Sequence, residues 1–334
     1  MLWLIREHLP SLEEKQSGSG RSAYAREPFL RAFLARSFFR ITTTEDLRKR
    51  LMADPNLRQI AGFRKIPSAA TFSRRMATLA ATPLVTRALN TMTTQYPEGR
   101  IVGHISRDLT AIPVREKPAN KKREVVLKPE PKRKRGRHRK GESRPVKKLE
   151  RQLRMKPGKA VAELDSACAW GYKKNSQGNI SFWKGYKLHL DVTDRGIPVT
   201  AFVIGANVHD SQLAITLEKW TERKLTPLYS VMDSAYDAQP ILGYIEGKGR
   251  VPLIEANKRR GGTRQSFTPA QQERFKVRSV VEHANAHLKD WLIPSQIFVR
   301  GSAKVSFQLL CAVLALAALK IPQYFELKPA SREV

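Results

Sequence analysis

Near its middle the chain holds a stretch with too much like charge to enter any core. Between Lys121 and Lys159 there are eighteen Lys or Arg against four Glu and no Asp, a surplus of +14 within a total of +31. Pro129, Pro131, Pro145 and Pro157 and the near-absence of aromatics also argue against packing, so this arm is expected to be loop or disorder when alone. Packed structure must therefore come from the residues before and after it, and a hydrophobic fraction of 41% over 334 residues is enough to supply it. A surplus of this size repels itself, and a polyanionic partner is the usual physical reason for it. Nucleic acid fits better than a membrane. Met1 to Leu9 is apolar but short and is interrupted by Arg6 and Glu7. The apolar run Phe307 to Leu319 falls short of the roughly 20 residues that span a bilayer and reads as a buried C-terminal helix. No secretory signal is visible, and Cys168 and Cys311 stand far apart among apolar neighbours, so a reduced cytoplasmic protein is expected.

Ahead of the arm the pattern changes once. Residues 1–20, ending in Ser and Gly, read as a flexible entry, and residues 21–98 as a small all-helical domain. Phe29, Leu30, Phe33, Leu34, Phe38 and Phe39 form one apolar helical stripe. Thr43 or Thr44 can cap a helix from Glu45 to Met52, Asp54-Pro55 breaks it, and Ser68 opens another that carries Arg74 and Arg75. A basic pair on a short helix suits either DNA contact or packing on a larger domain. From Ile101 to Val114 the residues alternate as a strand bearing Asp108.

After the arm, Trp183–Thr193 and Val199–Ile204 flank the turn Asp194-Arg195-Gly196, an antiparallel hairpin. Asp210 stands where it could cap a helix from Ser211. Leu228 to Asp233 is a buried strand ending in a carboxylate, Gln239–Glu246 a helix, and Val251–Ala256 a further strand. The region from Thr268 to Lys289 is helical. On it Arg278, Glu282, Asn285 and Lys289 recur at i, i+4, i+7 and i+11, while Val280, Val281, Ala284 and Leu288 form the apolar side. By itself that polar face is an ordinary ion pair on a surface helix. Strands followed by strand–helix alternation give an α/β fold with a mixed sheet flanked by helices.

Asp108 and Asp233 on strands and Glu282 on a helix that can cross beside them would make a site of carboxylate oxygens suited to Mg²⁺ or Mn²⁺. Two such ions about 4 Å apart serve phosphodiester chemistry. A lone Asp after a strand is more often a turn residue, so the conjunction carries the argument.

These segments resemble the DDE transposases of bacterial insertion sequences, in the branch with a Tyr-x2-Arg-x3-Glu-x6-Lys signature. Here the string is Phe275-x2-Arg278-x3-Glu282-x6-Lys289, three of four positions at the right spacing, with Phe275 departing from Tyr. Val231-Met-Asp233-Ser-Ala-Tyr236 and Ile105-Ser-Arg-Asp108-Leu-Thr110 are similar to the family's two aspartate segments, Asn207-Val-His209-Asp210 is a further familiar string, and residues 27–90 look like its helical entry domain. The resemblance implies an RNase H-like catalytic domain over residues 99–325, interrupted by the basic arm at about 118–160 and followed by a tail at 326–334. It implies Asp108, Asp233 and Glu282 as catalytic, metal-binding residues for two Mg²⁺ or Mn²⁺ ions. Arg278 and Lys289, with Arg74, Arg75, Lys132, Arg133, Arg135 and Arg137, become the candidate DNA contacts. His209, Asp210, Tyr236 and His283 are secondary candidates; His283 points about 100° from Glu282 on a helix. The implied partners are double-stranded DNA at element ends and target and a second copy of the chain on DNA, with no membrane, on the nucleoid of a bacterial cytoplasm. A metal-dependent nuclease without strand transfer would use the same carboxylates, and a non-catalytic DNA-binding protein would use none of them.

Overall fold

A computed structural model describes Ile5 and residues 24–95, 101–118, 146–174, 177–257 and 267–324. Most of the expected N-terminal entry and the C-terminal tail, together with Lys132, Arg133, Arg135 and Arg137, lie outside the described residues.

Among the described residues from Tyr24 on, five helices come first: α1 (Arg26–Phe38), α2 (Thr44–Ala53), α3 (Pro55–Ala61), α4 (Ala69–Ala80) and α5 (Leu84–Gln95). The starts of α2, α3 and α4 are capped by side-chain oxygens, which satisfy amides that lack helical partners. Thr43 accepts from the Asp46 amide at 3.0 Å, Asp54 from Leu57 at 2.9 Å, and Ser68 from Thr71 at 3.3 Å. The stripe on α1 is shorter than expected. Phe29, Leu30, Phe33 and Leu34 are buried, but Phe38 and Phe39 are exposed, Phe39 lying under Arg50.

The sheet contains β1 (Ile101–Pro113), β2 (Ala169–Lys174), β3 (Ile180–Thr193), β4 (Pro198–Gly205), β5 (Thr226–Met232) and β6 (Val251–Ile254). Its main path is β2-β3-β1-β5-β6, with β4 also paired to β3. Pairing of β3 with β1 and β4 is antiparallel, whereas β5 and β6 run parallel to β1. Setting β2 aside, the arrangement β4-β3-β1-β5-β6 is the RNase H-like mixed sheet, preceded by a helical region. Gly196, at φ 76°, makes the tight β3–β4 turn. Gly185 allows β1 and β3 to cross closely, since a Cβ there would lie 2.0 Å from the Ile112 carbonyl oxygen.

Side chains alternate across this sheet. Leu188, Leu190 and Val192 of β3 enter the main core, which also takes in the N-terminal helices and α12 (Ser302–Lys320). Sheet and entry helices therefore share one apolar interior, where each fully buried Leu or Phe contributes on the order of 1.5–3 kcal/mol. The helix α12 is longer than the apolar run indicated; with its last turn it is long and apolar enough to cross a membrane by length and composition. It is buried against α1, α4, α5 and β4. The other face of the sheet carries α8 (Ser211–Thr221), and α8 in turn packs against α9 (Gln239–Glu246).

Part of the basic arm also folds, contrary to the expectation of loop. Helices α6 (Lys148–Arg154) and α7 (Pro157–Ala162) pack on α8. The tie is specific: Lys219 of α8 donates to the carbonyls of Gln152, Leu153 and Met155 at 2.7–2.8 Å, and Gln152 donates to the Gln212 carbonyl at 2.8 Å. Unpaired carbonyls at a helix end attract a cation, so the lysine closes α6 from outside.

Candidate active site

Asp108 lies in the middle of β1, opposite Leu190 of β3, and not at a strand end. It shares its face of β1 with Ser106, because residues two apart point the same way. Helix α11 (Ser279–His287) crosses that face. It continues a 3₁₀ turn at Lys276–Arg278 and runs into a π-helical turn at Leu288–Leu292, while α10 (Pro269–Phe275), capped by Thr268, leads into it. Val281, Ala284 and Leu288 bury its apolar side as the periodicity indicates. Both ends are tied down. Ser106 donates to the Val277 carbonyl at 3.2 Å. Arg40, a non-glycine residue at φ 52°, donates to the carbonyls of Lys289 at 3.0 Å and Ile293 at 3.1 Å. Such backbone strain is held only where surrounding contacts over-determine it.

Asp108, Asp233 and Glu282 all line one cleft of about 500 Å³, together with Arg278, Asn285 and Lys289. Asp233 follows β5 directly, and its carboxylate accepts from the Ala235 amide at 3.0 Å. Asn285 donates to Asp108 at 3.2 Å. Burial raises the Asp108 carboxyl above the usual value, the charges of Asp233 and Glu282 add to this, and Arg278 opposes it. Asp233 is also raised, by burial first and by Asp210 and Glu255, again with Arg278 opposing. For both aspartates burial is the leading cause and neighbouring carboxylates add to it.

Glu282 behaves differently. It accepts from Arg278 at 2.6 Å, the i,i+4 ion pair that the helix spacing allows. Among the described residues no group of three or more His, Cys, Asp and Glu side chains is set to hold a metal ion as it stands. The expectation of three converging carboxylates is corrected to this extent: they share the cleft, but Glu282 is engaged by its own helix. The donors still fit a hard divalent cation in kind. They are carboxylate oxygens, with the buried amide oxygen of Asn285, which lacks a hydrogen-bond partner, beside Asp108.

The remaining candidates divide. Lys289 lines the cleft and is exposed. Asp210 lines it too, but instead of capping α8 it pairs with Lys187 at 2.6 Å, and that lysine also donates to the Val208 carbonyl. Tyr236 is fully buried, with its hydroxyl 3.3 Å from Nδ1 of His189, so it does not face the cleft. His209 contacts Ser211, and His283 is exposed. Phe275, where the signature has Tyr, packs against Phe267 with ring centroids 5.0 Å apart. Arg74 and Arg75 stand away from the cleft on α4; Arg75 donates to the Tyr24 carbonyl and lies over Phe29, while Arg74 is exposed. Sequence reasoning missed Lys187, Arg40 and the wall formed by Tyr172, Lys173 and Trp183. A larger hollow of about 940 Å³ between α6, α8 and α9 contains none of the three carboxylates.

A family model described as "Transposase DDE domain" matches residues 108–318, so it begins at Asp108 and includes Asp233 and Glu282. A second, "Transposase domain (DUF772)", matches residues 2–77 and so covers most of the entry helices. No curated protein matches the chain.

Proposed function

Because the chain belongs to the transposase DDE domain family, we propose that it cuts DNA at the ends of an insertion sequence and joins those ends to target DNA. The observation that carries this reading is the gathering of Asp108, Asp233 and Glu282 around one cleft edged by Arg278 and Lys289. Asp108 and Asp233 would hold Mg²⁺ or Mn²⁺, with Glu282 joining them as its carboxylate leaves Arg278. When bound, the ions supply Lewis-acid polarisation of the scissile phosphate and activation of the attacking oxygen.

The chain's own groups have separate tasks. Arg278 has a buried Nε without a partner, so it can turn to a phosphate oxygen while releasing Glu282. Lys289 gives a second phosphate contact at the cleft's edge. Asn285 holds Asp108 in place through its amide. Lys187, tied to Asp210 and to a backbone carbonyl, fixes the wall below. The arm surrounding Lys132, Arg133, Arg135 and Arg137, with Arg74 and Arg75, adds sequence-independent and salt-sensitive attraction to DNA. Two ends need two chains, so a homodimer on DNA in the bacterial cytoplasm, at the nucleoid, completes the reading.

The test is an element-end duplex incubated with the full chain and Mg²⁺, scored for cleavage and for joining to a target duplex. Asp233→Asn and Glu282→Gln should each abolish cleavage while leaving DNA binding largely intact. Cleavage that survives both changes overturns the reading. Cleavage without joining supports the nuclease alternative.

A further inference from the structure

The strands β2 and β3 extend past the rest of the sheet as a two-stranded ribbon, from Ala169↔Gly185 to Lys174↔Ile180. Its outer face has no core above it. Trp170 is 59% exposed, Tyr172 69%, Phe182 68% and Ile180 55%, which makes a continuous patch on a narrow element. Register explains the grouping: Trp170 faces Lys184 across the strands, and Tyr172 faces Phe182, so all four project to one side. The Tyr172 and Phe182 rings lie 6.3 Å apart.

On the opposite face Trp183 covers Gly171, while Lys173 and Ser181 are exposed. A Cβ at Gly171 would lie 2.6 Å from the Trp183 ring, so that indole sits directly on the glycine. Trp183 also donates to the Tyr186 carbonyl at 3.4 Å. Tyr172, Lys173 and Trp183 line the carboxylate cleft, which makes the ribbon one of its walls. A patch of exposed rings needs a partner, and charge selects which one. From Ala169 to Gly185 there is no Asp or Glu, whereas Lys184 stands opposite Trp170 on the outer face and Lys173 lies on the cleft side. Rings beside a lysine match bases and phosphates together. In a double helix the base faces are stacked on each other, so only unpaired bases can lie on these rings.

We propose that the outer face of this ribbon is a stacking platform for unpaired DNA bases leaving the cleft, with Trp170, Tyr172 and Phe182 under the bases and Lys184 at a phosphate. The platform rests on the reading of the cleft as a DNA phosphodiester site. It assigns the strand beside the reacting phosphate to a single-stranded path, one that a purely duplex-binding cleft would not need.

The test uses the full chain in EDTA, which prevents cleavage, and fluorescence anisotropy with two labelled probes, an oligothymidylate of about 15 nucleotides and a duplex of the same length. Trp170→Ala combined with Phe182→Ala should weaken single-strand binding by about tenfold or more and leave duplex binding within about twofold. Phe182→Leu keeps apolar area without a stacking ring and should behave like the alanine change, whereas Phe182→Trp should bind as the wild type. Equal loss on both probes, or none on the single strand, overturns the platform. So does wild-type binding by Phe182→Leu, or a Trp170→Ala chain that sediments as a smaller species than the wild type, because either marks a protein-contact surface. Failure of the cleft reading looks different: cleavage would survive Asp233→Asn, while the selective single-strand loss in the ribbon variants would persist.

Discussion

Arg107 and Asp108 are consecutive on β1, yet they obey opposite electrostatic rules. Arg107 points into the face under α8, where it is 1% exposed and donates twice to Asp191, at 2.6 and 2.7 Å. Glu218 lies 3.2 Å from it and is held in turn by Arg250 at 2.7 Å, and Thr221 donates to Asp191 at 2.6 Å. Burial works against the Arg107 charge, but Asp191 and Glu218 more than offset it and hold the group above the ordinary arginine value. Asp108 points the other way, into the cleft, where burial and two further carboxylates outweigh a backbone hydrogen bond from Leu109 and the charge of Arg278. Buried charges that serve structure come with partners, because an unpaired one costs several kcal/mol. A pair of carboxylates raised by burial and by like charge, in an open cleft, is where the proposed function would place a divalent cation.

Substitutions on the two faces should therefore separate chemistry from stability. Asp108→Asn is expected to reduce cleavage by about 10³-fold or more, equivalent to roughly 4 kcal/mol of barrier. Its urea midpoint should hold or rise, since the change relieves repulsion with Asp233. Asp191→Ala, one pleat away on β3, should lower stability by about 3–5 kcal/mol in urea unfolding, because it strands the Arg107 charge. A finding that both changes act alike on stability would break the contrast.

The buried side also predicts a pH signature. Lys224 donates to the Val199 carbonyl and to Thr200, and burial lowers its pKa to about 7, with Asp191 opposing. The unfolded lysine titrates near 10.4, so between pH 7 and about 10 the unfolded chain binds more protons than the folded one. Stability from this group is complete above the unfolded value and is lost as pH falls towards 7. The wild type should gain a few kcal/mol relative to Lys224→Met over that range, read as the difference between their urea midpoints. The smallest effect is expected at the cleft's edge. Lys289→Gln should weaken DNA binding only several-fold, reduce the slope of log affinity against log salt by about 1, and leave stability unchanged.

Much of the fold was legible because it is local. The caps at Thr43 and Ser68, the break at Asp54 that also caps the next helix, the β3–β4 turn at Gly196 and the alternation of β1 are all written within a few residues. What stayed hidden depends on distant partners. The Arg107–Asp191 pair joins residues 84 apart in sequence, and the α6 helix is secured by Lys219, more than 60 residues on. Asp210 looked like a cap because it precedes a helix, but Lys187, arriving from β3, claims its carboxylate. β2 was missed since its rings face solvent and so leave no apolar-in pattern. Asp108, Asp233 and Glu282, picked out in the sequence, line one cleft, and the spacing of Arg278 and Glu282 carried two meanings at once. It is both a signature and an i,i+4 ion pair, and the structure displays the pair.

The central claim is that the cleft aspartates would bind a divalent cation and that the Arg107 side would not. Free Mn²⁺ gives a paramagnetic resonance signal that is lost on binding, so titration of the full chain measures uptake directly. The account predicts that wild-type protein takes up Mn²⁺, that Asp108→Asn and Asp233→Asn each lose most of this uptake, and that Lys224→Met on the paired side keeps it. Wild-type protein that leaves Mn²⁺ free, or an Asp108→Asn chain that binds as much as the wild type, would contradict it.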